Sequence, residues 1–113
     1  MCTQLQLHII LQTIYEKSIA EFGDKLDAVI LYGSYARGDY DEESDIDVMV
    51  RVKLDKFELK KHRKTFSHLG SDLGLEHNIY VSIHLQDFET FNKFKEDLPF
   101  YTNVNREGVL ISA

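Results

Sequence analysis

Residues 26–52, LDAVILYGSYARGDYDEESDIDVMVRV, contain two strand-like segments and the turn between them, and the rest of the chain is read outward from here. Leu26 to Tyr32 is a short, mostly apolar run stopped by glycine, the pattern of a buried strand. From Ile46 to Val52 the period is two. Ile46, Val48, Val50 and Val52 alternate with Asp47, Met49 and Arg51, so one face is apolar and the other opens, from Asp45, with two carboxylates. Between the strands stand Gly33-Ser34, ten residues, and then Asp45-x-Asp47. A Gly-Ser pair directly after a buried strand lets the backbone turn sharply and offer N–H groups and a hydroxyl to a phosphate. Aspartates at i and i+2 of a strand share a face about 7 Å apart along the backbone, near enough for their side chains to converge on hard cations. Like charges so placed call for neutralisation, which gives the strand end an appetite for Mg²⁺.

The flanking segments complete an α/β (α+β) domain. Apolar residues Leu7, Leu11, Ile14, Tyr15, Ile19 and Phe22 recur at helical steps from Thr3 to about Phe22, with Thr3 a possible cap and Gly23 a stop. Lys56 to about Leu73 carries Leu59, His62, Phe66, Leu69 and Leu73 on one stripe. Ile79, Val81, Ile83 and Leu85 alternate with Asn78, Tyr80, Ser82 and His84 as a third strand. Asp87 caps an expected helix from Phe88 to about Asp97, and Pro99 starts a last one reaching Glu107, ended by Gly108. The order helix, strand, strand, helix, strand, helix, helix predicts a small mixed sheet covered mainly on one face.

Composition sets the limits. A chain of 113 residues suits one domain, 1–113, and its 43% hydrophobic content argues against disorder. Cys2 is the only cysteine, so neither an internal disulfide nor a thiolate zinc site is open to it. No apolar run reaches the roughly 18 residues of a membrane span, and no secretory signal opens the chain, so no membrane association and a cytoplasmic location are expected. With 13 basic against 19 acidic residues the net charge is −6, which disfavours general nucleic-acid binding. The acids concentrate at Asp39, Asp41, Glu42, Glu43, Asp45 and Asp47, followed by the basic run Arg51, Lys53, Lys56, Lys60, Lys61, Arg63 and Lys64. That juxtaposition suits an anionic ligand carried with a metal ion, although a basic helix face is most often simply solvated. A calcium loop counted from Asp39 fails, because Ser44 stands where glycine is needed and Val50 where a bidentate glutamate belongs. The aromatic residues Phe88, Phe91, Phe94, Phe100 and Tyr101 read as core, with some surface left for a partner or a second copy in a homo-oligomer.

The segment GSYARGDYDEESDIDV resembles the signature of the polymerase-β-type nucleotidyltransferase superfamily, in the form shown by minimal nucleotidyltransferases. IYVSIHL and LPFYTNVNREGVLI also resemble small bacterial members, many of which are antitoxins encoded beside a HEPN-type toxin. The resemblance implies Mg²⁺-dependent transfer of a nucleoside monophosphate, AMP from ATP in the toxin-paired branch, to a tyrosine of the toxin. Carried over by position, Gly33 and Ser34 contact the β- and γ-phosphates and Asp45 and Asp47 bind two Mg²⁺ ions, while Arg37 and Gly38 belong to the same turn. Arg37 either pairs with the acidic loop or holds phosphate. The superfamily's third carboxylate lies on the next strand, where Asn78 is the expected match; asparagine cannot take a proton. Glu76, two residues earlier on the expected strand face, is the substitute, whereas His77 and His84 lack a second ligand at metal spacing and read as structural. A non-catalytic module that neutralises its partner by contact is the competing reading.

Overall fold

The computed structural model describes residues 2–112. Its core is a four-stranded mixed sheet in the order β3-β2-β1-β4, with β1 Leu26–Tyr32, β2 Ile46–Val52, β3 Val81–Asp87 and β4 Val109–Ile111. β1 runs antiparallel to β2 and β4, and β2 runs parallel to β3. The first two strands span the expected residues. β4 was not expected, and its reason is tertiary: three residues, two of them exposed, carry no periodicity, and they form a strand only because β1 offers an edge.

The apolar side of β2 is completely covered. Ile46, Val48, Val50 and Val52 pack with Val29 and Leu31 of β1 and Val81 and Leu85 of β3 beneath helices α1 (Gln4–Phe22) and α4 (Arg63–His77). α1 begins with a reciprocal cap, in which the Gln6 N–H donates to Thr3 Oγ1 and the Thr3 N–H donates to Gln6 Oε1. It buries Ile10, Leu11, Ile14, Ser18 and Phe22, a stripe turned slightly from the expected one, which leaves Ile19 facing outward. Ser18 is tolerated there because its hydroxyl donates to the Ile14 carbonyl.

The expected helix over residues 56–73 is broken and longer: α3 Lys56–Leu59, a 3₁₀ turn at Lys60–His62, and α4 continuing to His77. Asn78, at φ 53° and ψ 47°, ends α4 by donating its N–H to the Gly74 carbonyl. This corrects the expected third strand, because Glu76 and Asn78 belong to a helix and its cap. Only from Val81 does the chain run as a strand. Gly70 and Gly74 let α4 lie directly on the incoming backbone: a Cβ at Gly70 would sit 2.9 Å from the Val81 carbonyl oxygen, and one at Gly74 2.8 Å from that of Ile79.

The second face of the sheet is partly covered. Ile30 and Met49 pack with Phe91 of α5 (Phe88–Phe94) and Val104 of α6 (Pro99–Glu107), while the end of the face carrying Asp47 stays open. α5 stops three residues short of the expected Asp97. No helix among the described residues is long and apolar enough to cross a membrane.

Gly70→Ala tests the close approach. Overpacking against backbone costs about 1–3 kcal/mol, against about 1 kcal/mol that alanine gains over glycine in a helix. Urea denaturation is expected to show a net loss for Gly70→Ala and no loss for Ser71→Ala, one residue on and exposed.

Candidate active site

The turn after β1 is built around an unusual glycine. Tyr32 is the cross-strand partner of Asp47, so the residue after Tyr32 leaves the sheet beside the Asp47 side chain. Gly33 does so at φ 75° and ψ −158°, and a Cβ there would lie 2.5 Å from Asp47 Oδ2 and 3.4 Å from its Cγ. Both the backbone conformation and the lack of space require glycine. The elbow and the carboxylate are therefore in contact.

From that elbow springs α2 (Ser34–Arg37), a single turn whose Ala36 and Arg37 N–H groups both reach the Gly33 carbonyl. The N–H groups of Ser34 and Tyr35, at its start, have no place in the helical ladder. Gly38 closes the turn in the left-handed region at φ 86°, donating to the Ser34 carbonyl at 2.9 Å. Tyr35 anchors the unit: its buried ring stacks on Tyr40 at 4.3 Å, and Cys2 Sγ approaches its hydroxyl at 3.8 Å.

The acidic loop that follows is largely occupied with itself. Asp41 Oδ1 accepts from the Glu43 N–H and the Ser44 hydroxyl, and the Ser44 hydroxyl accepts from the Asp41 N–H. Arg37 takes the less elaborate of its two expected options, donating Nε–H to Asp39 at 3.1 Å and Nη1–H to Glu107 at 3.4 Å. Its side chain is nonetheless 44% exposed, and its charge still reaches Asp47.

Asp45 and Asp47 stand at the open end of the face. Partial burial pushes the Asp47 carboxyl above the usual carboxylate range, the negative charge of Asp45 adds to this, and Arg37 offsets part of it. Across the pairing, burial and the same Asp47 charge push the Tyr32 phenol up to about 12. A half-buried, under-neutralised carboxylate beside a second one is a donor set that fits hard divalent cations. No group of three or more His, Cys, Asp or Glu converges among the described residues; Glu76 lies in the last turn of α4 and Asn78 caps that helix, off the strand on which both were expected. The residue that β3 places beside Asp47 is Ser82, with His84 two residues farther along the same face. Sequence reasoning missed this because the third strand was started too early.

The aromatic residues extend the site. Phe100, 41% exposed, meets Tyr32 of β1 edge-on at 5.7 Å and His84 of β3 at 5.6 Å. Since β1 and β3 flank β2, a ring touching both lies over β2, next to Asp47.

The nucleotidyltransferase-domain family model matches residues 11–109. This chain belongs to that family. Two relatives from Methanocaldococcus jannaschii, both provisionally named protein adenylyltransferases, are similar to it. One is 37% identical over 104 residues, covering 82% of this chain and 93% of the relative. The other is 49% identical over 59 residues, covering 52% of this chain and only 58% of the relative. A solved structure described as a nucleotidyltransferase from Sulfolobus solfataricus shares the fold, with a TM-score of 0.62 at 22% identity over 95% of this chain and 80% of that one.

The raised Asp47 carboxyl makes a stability prediction. A carboxyl that binds its proton more tightly when folded weakens the fold once ionised. Asp47→Asn is expected to raise the melting temperature of the metal-free protein at neutral pH. That gain shrinks as pH falls through the raised range and vanishes below the ordinary value of 3.8, where both states hold the proton. Melting curves between pH 3 and 7 check it; an unchanged or growing gain toward acid contradicts the assigned cause.

Proposed function

We propose that this chain transfers AMP from ATP to a hydroxyl group of another protein, with Mg²⁺ held by Asp45 and Asp47. The observation that carries this reading is the contact between a side-chain-free elbow at Gly33 and the Asp47 carboxylate, with Asp45 adjacent. It brings a phosphate-sized backbone turn and a cation-binding pair together, as phosphoryl-type transfer requires. The name borne by the longer-matching relative supports adenylyl as the transferred group and protein as the acceptor.

Gly33 and Ser34 receive the β- and γ-phosphates through backbone N–H groups and the Ser34 hydroxyl. Arg37 swings from Asp39 and Glu107 toward the triphosphate, an exchange of one exposed ion pair for another that costs little. When bound, two Mg²⁺ ions supply Lewis-acid stabilisation of the charge on the phosphates. Phe100 and Tyr32 form an apolar wall beside the carboxylates that keeps bulk water off one side. ATP and Mg²⁺ of the cytoplasm would serve the reaction.

The sequence resemblance to toxin-paired members makes the product of the adjacent reading frame, a HEPN-type protein, the first acceptor to test, and one of its tyrosines the modified residue. One observation favours the alternative of a contact-only antitoxin: the position beside Asp47 on β3 is Ser82, which supplies no carboxylate.

Incubating the neighbouring protein with this chain, ATP and Mg²⁺ is expected to add the mass of one AMP. Asp45→Asn should reduce the rate by about 10³-fold or more. Gly33→Val, which fills the elbow, should do likewise while the protein still folds by circular dichroism. If the partner is bound and neutralised equally well by Asp45→Asn and never gains mass, the contact-only reading replaces this one.

A further inference from the structure

Resting on the nucleotidyltransferase reading, the geometry points to His84 as the base that takes the proton from the attacking hydroxyl. Three independent features converge on this ring.

The first is position. β3 runs parallel to β2 with Asp47 opposite Ser82 and Met49 opposite His84, so His84 projects from the face that carries Asp47, one pair farther along. Phe100 touches both His84 and Tyr32 and thereby spans the strand between them. The imidazole stands at the rim of the carboxylate site, roughly 8 Å from Asp47 along the backbone diagonal.

The second is tautomer. Gln86 is 5% exposed and Asp87 7% exposed, a buried polar pair at the end of an otherwise apolar strand. The Thr90 N–H donates to Asp87 Oδ2 at 2.8 Å, holding that carboxylate. The Gln86 amide nitrogen donates to the Asp87 carbonyl and to Asp87 Oδ1, both at 3.3 Å. Those bonds leave Gln86 Oε1 as an acceptor, and it faces His84 Nε2 at 2.9 Å. The proton of the neutral ring therefore belongs on Nε2, and Nδ1 carries the lone pair.

The third is availability. Nδ1 has no hydrogen-bond partner among the described residues, and it is not one of their buried unsatisfied atoms, so it is open to a ligand. The arrangement of a fixed Nε2–H and an open Nδ1 is that of an oriented general base.

In the step, the acceptor oxygen forms a bond to the α-phosphorus while the bond from that phosphorus to the oxygen bridging to the β-phosphate breaks. Pyrophosphate leaves with the electron pair. The hydroxyl proton passes to His84 Nδ1 and then to water. Other titratable or charged groups near the ring are Asp47 and Arg51 on β2, Tyr32 across Phe100, and Asp87 behind Gln86.

Two measurements test this. With [α-³²P]ATP, Mg²⁺ and a Glu/Tyr copolymer as acceptor, His84→Gln is expected to lower kcat by about 100-fold or more with little change in KM for ATP. It should also abolish the fall in rate toward acid pH, and its residual rate should rise with hydroxide. A merely packing role would leave the acid limb in place and is the result that overturns the proposal. Independently of transfer, ¹⁵N NMR of histidine-labelled protein should show the neutral His84 ring protonated on Nε2, with that preference lost in Gln86→Met. An Nδ1–H ring, or one indifferent to Gln86→Met, overturns the assignment even if the copolymer is a poor acceptor. Failure of the function reading looks different: labelling that survives Asp45→Asn, or no AMP added by the parent protein to either the copolymer or the neighbouring protein.

Discussion

A bare Cα pressed against a carboxylate organises this molecule. Because Tyr32 pairs with Asp47, the chain must leave β1 within reach of the Asp47 oxygens, and only glycine fits the space and adopts the required φ. Everything around the site follows from that contact. α2 starts where the elbow ends, the acidic loop folds back on its own hydroxyl and carboxylate, and Asp47 keeps a charge that the protein alone does not neutralise. A polar site of this sort costs stability locally, and the fully covered apolar face of β2 offsets it with four side chains of zero exposure: Ile46, Val48, Val50 and Val52.

Much of this was legible in the chain. The two central strands were readable to the residue because an apolar run stopped by glycine and a strict alternation are both strong local signals, and the Gly-Ser and Asp-x-Asp spacing picked out two segments that the strand pairing brings into contact. What was not legible was decided at a distance. Residues 76–80 look like strand by alternation, yet Gly70 and Gly74 let α4 sit so close to the sheet that the helix runs on to His77 and turns through Asn78. That extension moves the β3 register, and with it the residue that faces Asp47. Glu76 and Asn78 leave the strand for a helix and its cap, and β3 sets Ser82 beside Asp47 with His84 farther along the same face. β4 was hidden for another reason, since a three-residue strand has its cause in its neighbour.

The second face of the sheet shows how a small domain divides its labour. Ile30, Met49, Phe91 and Val104 close one end with apolar packing, and Arg51, held by Asp27 at 2.6 Å and set over the Phe91 ring at 4.4 Å, seals the border. The other end is left to polar chemistry, with Phe100 between the two. The buried Gln86 and Asp87 lie under this border, where a polar pair needs a justification in hydrogen bonds and finds it in Thr90 and His84.

The phenol of Tyr32 stands across the strand pairing from Asp47. With its ionisation pushed up to about 12, only about one molecule in 10⁵ carries the phenolate at neutral pH. Burial, with the Asp47 charge adding to it, thus keeps the resident tyrosine blunt as a nucleophile. A transferase of the proposed kind, acting on hydroxyl groups, would in this way be spared from becoming its own first product.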